Sequence, residues 1–263
     1  MGYENSGEKV LFAEERKRKL VEYINNVGRV TVPELCQNFD VSSATIRNDL
    51  RDLDELGLIT RTHGGAIKKS QTGHEPINDS KVAKNTQIKA SAAKVALGCI
   101  DDGDTIILDT GTTTFELAKL LGSKKNLTVV TNDLNIAAIL ERMESVETLL
   151  IGGLLRKGFH CTIDHGSSLL LESLSVDKAM MGANSFSIEK GASTPDLSQA
   201  ALKKQMIRIA SKVIIICDHT KLEMNSFMNF ATPNEIDMLI TDTISDKLRK
   251  EYEEADIKIL TYK

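Results

Sequence analysis

The chain has 263 residues, of which 41% are hydrophobic and 27% charged, and its formal net charge is −4. Its length exceeds the roughly 100 to 200 residues typical of one domain, and its composition excludes a disordered chain. No apolar run approaches the roughly 18 residues that span a membrane, and the opening MGYENSGEKV lacks the apolar core of a secretory signal. We therefore expect two folded domains in a cytoplasmic protein without a membrane partner.

The N-terminal part is the less acidic one, since residues 9–70 carry 11 Lys and Arg against 9 Asp and Glu. Its first predicted helix covers residues 14–26, where apolar side chains recur at helical spacing, and Gly28 follows as a C-cap. The second predicted helix begins at Thr31, which forms a capping-box pattern with Glu34.

The third predicted helix is capped by Ser42 and has an apolar face at Ile46, Leu50, Leu53 and Leu56. Its other face carries hydroxyl, arginine and asparagine side chains, at Ser43, Thr45, Arg47, Asn48 and Arg51. Such side chains enter a major groove and meet phosphates and base edges. The pattern indicates a recognition helix, with Ser42 in its DNA-facing turn.

The segment LITRTHGGA predicts a short hairpin directly after this helix. Its polar residues Arg61, His63 and Gly64 are expected to touch the DNA backbone. Each piece alone also fits an ordinary helical bundle with solvated arginines. The order and spacing of the pieces together are far more specific.

These segments resemble the DeoR family of bacterial transcription regulators, whose recognition signature appears here as VSSATIRNDL and GLITRTHGGA. The resemblance implies a small α+β winged helix-turn-helix domain over residues 9–67. One position departs from the family pattern, because Asn48 replaces the second of two paired arginines. Asn can bind adenine through two hydrogen bonds, so we expect a different operator preference near this residue.

Residues 68–79 are polar and lack apolar periodicity, which predicts a linker, and residues 80–263 form the second predicted domain. There, helical patterns alternate with β-rich runs: TIILD, LTVVTN, ETLLIGG, KAMMGA, KVIIICD, IDMLITD and IKILTY. This alternation predicts an α/β domain with a mostly parallel sheet covered on both faces.

Ligands of such sheets bind at the carboxyl ends of the strands, and polar residues follow several of these strands. They are Asp109, Thr110, Gly111, Thr112, Thr113, Thr131, Asn132, Gly152, Gly153, Asp218 and Lys221. We expect their loops to converge on one site. The first loop, DTGTTT, has the glycine, hydroxyls and following helix that suit a phosphate group, although a capped turn with structural threonines fits it equally.

The segments DTGTT, VVTN, IGG, GASTPD and DHTK extend the DeoR resemblance over almost the whole chain. The resemblance implies an effector domain with a ribose-5-phosphate-isomerase-like fold. It also implies that this domain senses a phosphorylated sugar or related metabolite and changes the affinity for DNA in response.

A sugar-phosphate isomerase on this scaffold is one alternative, and it would need carboxylate bases beside the phosphate loop. By a hand alignment with the resembling isomerases, those acids have become Met181, Asn184 and Lys203. We therefore predict no catalytic residues and no cofactor, and we expect Lys203 to bind an anionic effector.

A metal-responsive regulator is a second alternative, because His160, Cys161 and His165 lie within six residues of one another. Adjacent His and Cys seldom reach one tetrahedral ion, so we predict no metal site. The four cysteines stand singly beside apolar stretches, and no disulfide framework is expected. The sequence thus predicts a repressor that binds double-stranded operator DNA. One helix-turn-helix reads only a half-site, so we also expect a homo-oligomer.

Overall fold

The computed structural model describes residues 13–56, 58–62, 64–68, 86–163 and 168–262. The chain divides into two compact units, residues 1–71 and 72–263, which we call the N-terminal and C-terminal units. Most of the predicted linker, residues 69–79, lies outside the described residues. No helix of the described ranges is long and apolar enough to cross a membrane.

The N-terminal unit is a winged helix-turn-helix. Its helices are α1 (Ala13–Val27), α2 (Val32–Phe39) and α3 (Ser43–Glu55), and its strands are β1 (Arg29–Thr31), β2 (Ile59–Thr62) and β3 (Gly65–Lys68). The strands pair antiparallel in the order β1-β3-β2. The predicted hairpin is confirmed as β2 and β3, whereas the three-residue β1 was not predicted because it is too short to show alternation.

The core of this unit comes from all three helices and the wing, through Leu20, Ile24, Leu35, Ile46, Leu50, Leu53 and Ile59. The predicted apolar face of α3 is wrong at one position, because Leu56 is 69% exposed. The helix ends at Glu55, and Leu56 is its C-cap residue. The capping box of Thr31 and Glu34 is confirmed at the start of α2.

The C-terminal unit is built on a seven-stranded parallel sheet with the order β15-β14-β12-β9-β4-β5-β6. All seven predicted strands are confirmed, as β4 (Thr105–Leu108), β5 (Leu127–Thr131), β6 (Val146–Leu150), β9 (Val176–Gly182), β12 (Ala210–Ile216), β14 (Met238–Thr241) and β15 (Lys258–Thr261). The predicted α/β class is therefore correct.

Helices cover both faces of this sheet, so its central strands are apolar on both sides. The helices are α4 (Thr86–Leu97), α5 (Thr112–Ala118), α6 (Leu134–Leu140), α7 (Ser168–Glu172), α8 (Leu197–Arg208) and α9 (Asp246–Glu254). On one face, Ile107 and Val130 pack in a core layer with Ala200 and Met206 of α8. On the other face, a second core layer includes apolar residues of α4, α5 and α6.

Five short strands of this unit were not predicted. They are β7 (Leu154–Arg156), β8 (Cys161–Ile163), β10 (Ser185–Ser187), β11 (Gly191–Thr194) and β13 (Met228–Ala231). Strands β7 and β8 form a hairpin, and β10, β11 and β13 form a small antiparallel sheet. Each has only three or four residues, and β11 and β13 pair across a long sequence separation that a local pattern cannot show.

Candidate functional site

Helix α3 presents the polar face that the sequence predicts. The side chains of Arg47, Asn48 and Arg51 are exposed, whereas Thr45 is half-buried. Ser42 caps the helix, since its Oγ accepts from the Thr45 backbone N–H at 3.2 Å and lies 2.9 Å from Thr45 Oγ1. The hydroxyls of Ser42 and Thr45 thus already have structural partners, while Arg47 and Asn48 project into solvent beside them.

An ion pair missed by the sequence analysis fixes α3 against α1. Arg16 donates to both carboxylate oxygens of Asp49, at 2.7 Å from Nε and 3.3 Å from Nη2, and Asp49 is buried. The hydrogen bond to Asp49 raises the pKa of Arg16. Asp49 lies three residues after buried Ile46, so the helical period turns it inward. The helical spacing from Ile46 was the only feature of the local sequence that indicated that Asp49 faces inward.

The wing is tied to the same helix, because the backbone N–H of Arg61 donates to Asp54 Oδ1 at 3.1 Å. The side chain of Arg61 is exposed, as are Ser43 and Gly64. His63 lies outside the described residues, so its predicted contact with DNA stays a prediction. The described side chains form a polar surface with several arginines, as nucleic-acid binding requires.

The candidate effector site lies at the carboxyl edge of the parallel sheet. Asp109 follows β4 and Asn132 follows β5, and both are only 1% exposed. These strands pair with Ile107 beside Val130, and continuing that register by two residues brings Asp109 beside Asn132. Because side chains alternate along a strand, both residues point to the face that α8 covers.

Lys203 of α8 reaches Asp109 at this edge. Its Nζ donates to Asp109 Oδ2 and, at 3.0 Å, to the carbonyl oxygen of Gly182, and it lies 5.1 Å from the centroid of the Phe230 ring. The backbone N–H of Gly182 also donates to Asp109 Oδ2, at 2.9 Å. Burial raises the pKa of Asp109, and Lys203 opposes this shift.

Two oxygens of this cluster have no hydrogen-bond partner among the described residues. They are Asp109 Oδ1 and Asn132 Oδ1. The other ends of both side chains are fixed, since Asn132 Nδ2 donates to the Thr162 carbonyl oxygen at 2.7 Å. A buried acceptor without a donor costs about 1–3 kcal/mol. The cluster therefore holds two rigid, desolvated acceptors beside a lysine.

Asp133, which the sequence analysis missed, organises the threonine loop. Thr110 Oγ1 donates to Asp133 Oδ2 at 2.6 Å, and Asp133 Oδ1 caps α6 by accepting from two backbone N–H groups. Burial raises the pKa of Asp133, and these hydrogen bonds, with one from the Gly111 backbone, oppose the shift. An Asp between a strand and a helix was the available signal for this cap.

The other predicted loop residues have mixed positions. Thr112 and Thr113 are half-buried in the first turn of α5, and Thr131 is buried, its Oγ1 accepting from the Asp133 N–H at 3.2 Å. Gly153 has a φ of +146°, and a Cβ there would lie 2.3 Å from the Ile163 carbonyl oxygen. This glycine thus permits the close approach of strand β8, while Gly152 is exposed.

Asp218 and Lys221 lie at the end of β12, two strands from Asp109 in the sheet order. Asp218 begins a short 3₁₀ turn, His219–Lys221, and accepts from the backbone N–H of Thr220 at 3.0 Å. These hydrogen bonds are local to the turn. The structure therefore brings together Asp109, Thr110, Thr131, Asn132 and Lys203, with Asp218 and Lys221 farther along the same edge.

Known protein families match both units of this architecture. The model of the DeoR-like helix-turn-helix domain matches residues 16–72, and that of the DeoR C-terminal sensor domain matches residues 84–243. The chain belongs to the DeoR family.

Relatives of this DeoR-family chain are named as regulators. The HTH-type transcriptional regulator GlpR of Haloferax volcanii is 34% identical, over 94% of this chain and 96% of that protein. The HTH-type transcriptional repressor GlcR of Bacillus subtilis is 36% identical, over 90% of this chain and 91% of that protein. A solved D-ribose-5-phosphate isomerase with bound phospho-erythronic acid aligns with a TM-score of 0.40 at 21% identity, over 52% of this chain and 54% of that one.

The DeoR-family chain is a DNA-binding transcription regulator and not an enzyme, as the matching domains and the named relatives show. At the positions aligned by hand with isomerase acids, Met181 is buried, Asn184 is half-buried and Lys203 pairs with Asp109. Within the described ranges, no three His, Cys, Asp or Glu side chains are grouped to hold a metal ion. His165 of the metal-responsive alternative lies outside those ranges.

Proposed function

We propose that this DeoR-family regulator represses a sugar-metabolism operon and that a phosphorylated sugar, bound at the carboxyl edge of the C-terminal sheet, releases it from DNA. The observation that carries the proposal is the buried cluster of Asp109, Asn132 and Lys203. The unpartnered acceptors suit the hydroxyl groups of a sugar, and the positive charge of Lys203, which already pairs with Asp109, suits a phosphate close by.

The DNA half of the proposal rests on the exposed face of α3 and on the wing. Arg47, Asn48 and Arg51 are of the residue types that contact bases and phosphates, and Arg61 adds a charge from the wing. A single helix-turn-helix covers one half-site, so we propose that a homo-oligomer binds repeated half-sites of a double-stranded operator.

The proposal requires that binding of the effector and binding of the operator weaken each other. By linkage, a ligand that releases DNA binds the DNA-free protein more tightly than the DNA-bound protein. The ligand also stabilises the folded protein by RT ln(1 + c/Kd), where c is the free ligand concentration, so the free energy of unfolding rises with the logarithm of that concentration once the ligand is well above its dissociation constant.

A thermal-shift screen of sugar phosphates against the full chain tests the effector class, with the unphosphorylated sugars as matched controls. We expect a phosphorylated sugar to raise the melting temperature and its unphosphorylated form to have little effect. Each hit then enters an operator-binding assay, in which it should weaken DNA binding. Equal shifts from both forms of the sugars, or hits that leave DNA binding unchanged, would contradict the proposal.

A further inference from the structure

Strand β6 forms one edge of the parallel sheet, beside helix α6. Among the described residues it pairs with β5 on one side and with no strand on the other. A groove of about 470 Å³ runs between β6 and α6, and its lining includes Leu134, Ala137, Val146 and Leu150. Leu150 is 41% exposed. An open strand edge beside an apolar groove is a surface that a further strand can cover.

The two edges of the sheet differ in how they are protected. Natural proteins block strand edges with lysine, proline or bulges, which prevent further pairing. The opposite edge strand, β15, carries the exposed Lys258. In contrast, β6 reads VETLL, without lysine or proline, and it pairs with β5 in unbroken register from Val146 to Leu150. The outer edge of β6 therefore remains able to pair.

The bonds of β6 to β5 show which of its backbone groups face outward. The carbonyl oxygen of Ser145 and the N–H of Ile151 both bond to β5, at 3.2 Å and 2.8 Å. Backbone groups alternate in direction along a strand, so every second residue points its N–H and C=O the other way. The residues whose groups face the open edge are Val146, Thr148 and Leu150.

Thr148, at the centre of β6, also has an unmet hydrogen bond. Its Oγ1 is buried and has no partner among the described residues, although the residue as a whole is only half-buried. A buried hydroxyl without a partner is destabilising. Threonines that lie directly opposite each other on neighbouring antiparallel strands form hydrogen bonds of the kind that Thr148 lacks.

We propose that β6 pairs antiparallel with β6 of a second copy of this chain, about a twofold axis at Thr148. Thr148 then lies opposite its own copy, and Val146 lies opposite Leu150. All 5 residues of β6 are paired, and the outward backbone groups exchange hydrogen bonds in the antiparallel pattern. A twofold interface must be self-complementary, and a strand edge centred on one residue meets this condition.

Charge and strand length select this register. An axis at Glu147 would place two carboxylates directly opposite each other, which destabilises a strand pair. An axis at Leu149 would leave Val146 opposite a residue beyond the end of β6. The axis at Thr148 avoids both faults. The inference rests on the proposed function only in its need for a homo-oligomer, and it adds the surface and the symmetry.

Thr148→Cys in the full chain tests the register by disulfide formation. Directly opposite residues of a hydrogen-bonded antiparallel pair have Cα atoms about 5.5 Å apart, which a disulfide can bridge. The oxidised variant should run as a covalent dimer on a non-reducing gel and as a single chain after reduction.

Glu147→Cys is the matched control, because the two copies of residue 147 would be offset by two positions along the strands and lie too far apart for a disulfide. The wild type is the second control, since its four cysteines are buried or half-buried. Both controls should run as single chains.

Thr148→Lys tests the stability of the interface, because it places two like charges on the axis. Sedimentation velocity over a concentration series should show association weakened by about tenfold or more. Thr261→Lys is the matched control, since it makes the same change at an exposed residue of the opposite edge strand, β15. It should leave association unchanged. If Thr148→Lys does not fold by circular dichroism, the cross-linking variants decide.

The outcomes separate this inference from the proposed function. If the wild type is an oligomer that Thr148→Lys leaves intact and Thr148→Cys does not cross-link, the interface is wrong and the homo-oligomer stands. Cross-linking of Glu147→Cys in place of Thr148→Cys would overturn the register. A wild type that binds operator DNA and sugar phosphate as a monomer would refute both the interface and the homo-oligomer, while leaving the effector and operator in place.

Discussion

Arg47 and Asn48 lie next to each other on the exposed face of α3, where neither side chain forms an ion pair or hydrogen bond with the described residues. Their chemistry differs, since arginine is a fixed charge with five donors and asparagine is a neutral donor and acceptor. We therefore assign them different expected contributions to DNA binding.

Arg47→Ala should weaken operator binding by about 1–3 kcal/mol if Arg47 contacts a base edge. Fluorescence anisotropy with operator and with unrelated DNA, at one salt concentration, measures this loss. An equal loss on both DNAs would assign Arg47 to a phosphate instead. Unchanged affinity for both would remove it from the DNA interface.

Asn48→Arg should shift the preferred operator sequence at the base pairs nearest this residue. The reason is that Asn pairs well with adenine, whereas Arg pairs well with guanine. Selection of binding sites from a random pool, with wild type and variant in parallel, measures the preference. Identical selected sites would show that residue 48 does not read bases.

Lys203 and Asp109 form a buried ion pair in the C-terminal unit, with side chains 5% and 1% exposed. Removing one partner leaves the other charge buried and unpaired, so Lys203→Met should lower the free energy of unfolding by about 3–5 kcal/mol. The double variant Asp109→Asn with Lys203→Met should lose less than the sum of the single losses.

Denaturant unfolding followed by circular dichroism measures this cycle. Lys204→Met is the control, because Lys204 is the exposed neighbour on the same helix and should change stability by less than about 0.5 kcal/mol. Additive losses in the double variant would mean that the two charges do not interact.

At the scale of elements, the wing depends on close backbone packing at Gly65. A Cβ on this residue would lie 1.9 Å from the carbonyl oxygen of Val30, so β3 pairs with β1 only if residue 65 has no side chain. At the neighbouring Gly64, an added Cβ would meet nothing within 4 Å. The two glycines thus form a natural matched pair.

Gly65→Ala should destabilise the N-terminal unit by about 1–3 kcal/mol or more, because the three-stranded sheet must shift to admit the methyl group. Gly64→Ala should leave its stability within about 1 kcal/mol. Thermal unfolding measures both variants. Equal melting temperatures for Gly65→Ala and wild type would show that β1 and β3 are not held as described.

The elements that could be predicted from sequence are those with a strong local signal. The seven apolar runs of the parallel sheet and the capped helices α2 and α3 fall in this group, because burial and capping leave periodic or short-range patterns. Strands β10, β11 and β13 could not be predicted, since they are short and lack the continuous apolar runs of the parallel sheet, and β13 pairs with β11 across a long sequence separation. Leu56 was misassigned because apolar spacing alone does not show where a helix stops.

The residues of the candidate site likewise divide into those that could be predicted from the sequence and those that could not. Asp109, Asn132 and Lys203 were predicted to share a site, because parallel strands end at one edge and the hand alignment placed Lys203 beside them. The pairing of Lys203 with Asp109 and the anchor between Arg16 and Asp49 could not be predicted, because each joins residues that only the three-dimensional packing brings together. The cap by Asp133 is local and was missed although an Asp between a strand and a helix was a signal for it.

At the scale of the whole molecule, the two units carry different tasks, since one presents an arginine-bearing helix and wing and the other a buried polar site. Regulation requires that these tasks be coupled through a free energy that is reciprocal between the two ligands. If the sugar phosphate weakens operator binding by a given factor, the operator must weaken sugar-phosphate binding by the same factor. A coupling of 1–3 kcal/mol, or about 5- to 150-fold, is typical.

The most direct test of this account is the affinity of the sugar phosphate for the free protein and for the protein saturated with operator DNA, measured under one set of conditions. We expect weaker binding to the DNA-bound protein, by the same factor by which the sugar phosphate weakens DNA binding. Equal affinity for the two states would contradict the account, because a ligand that does not distinguish them cannot release the regulator from its operator.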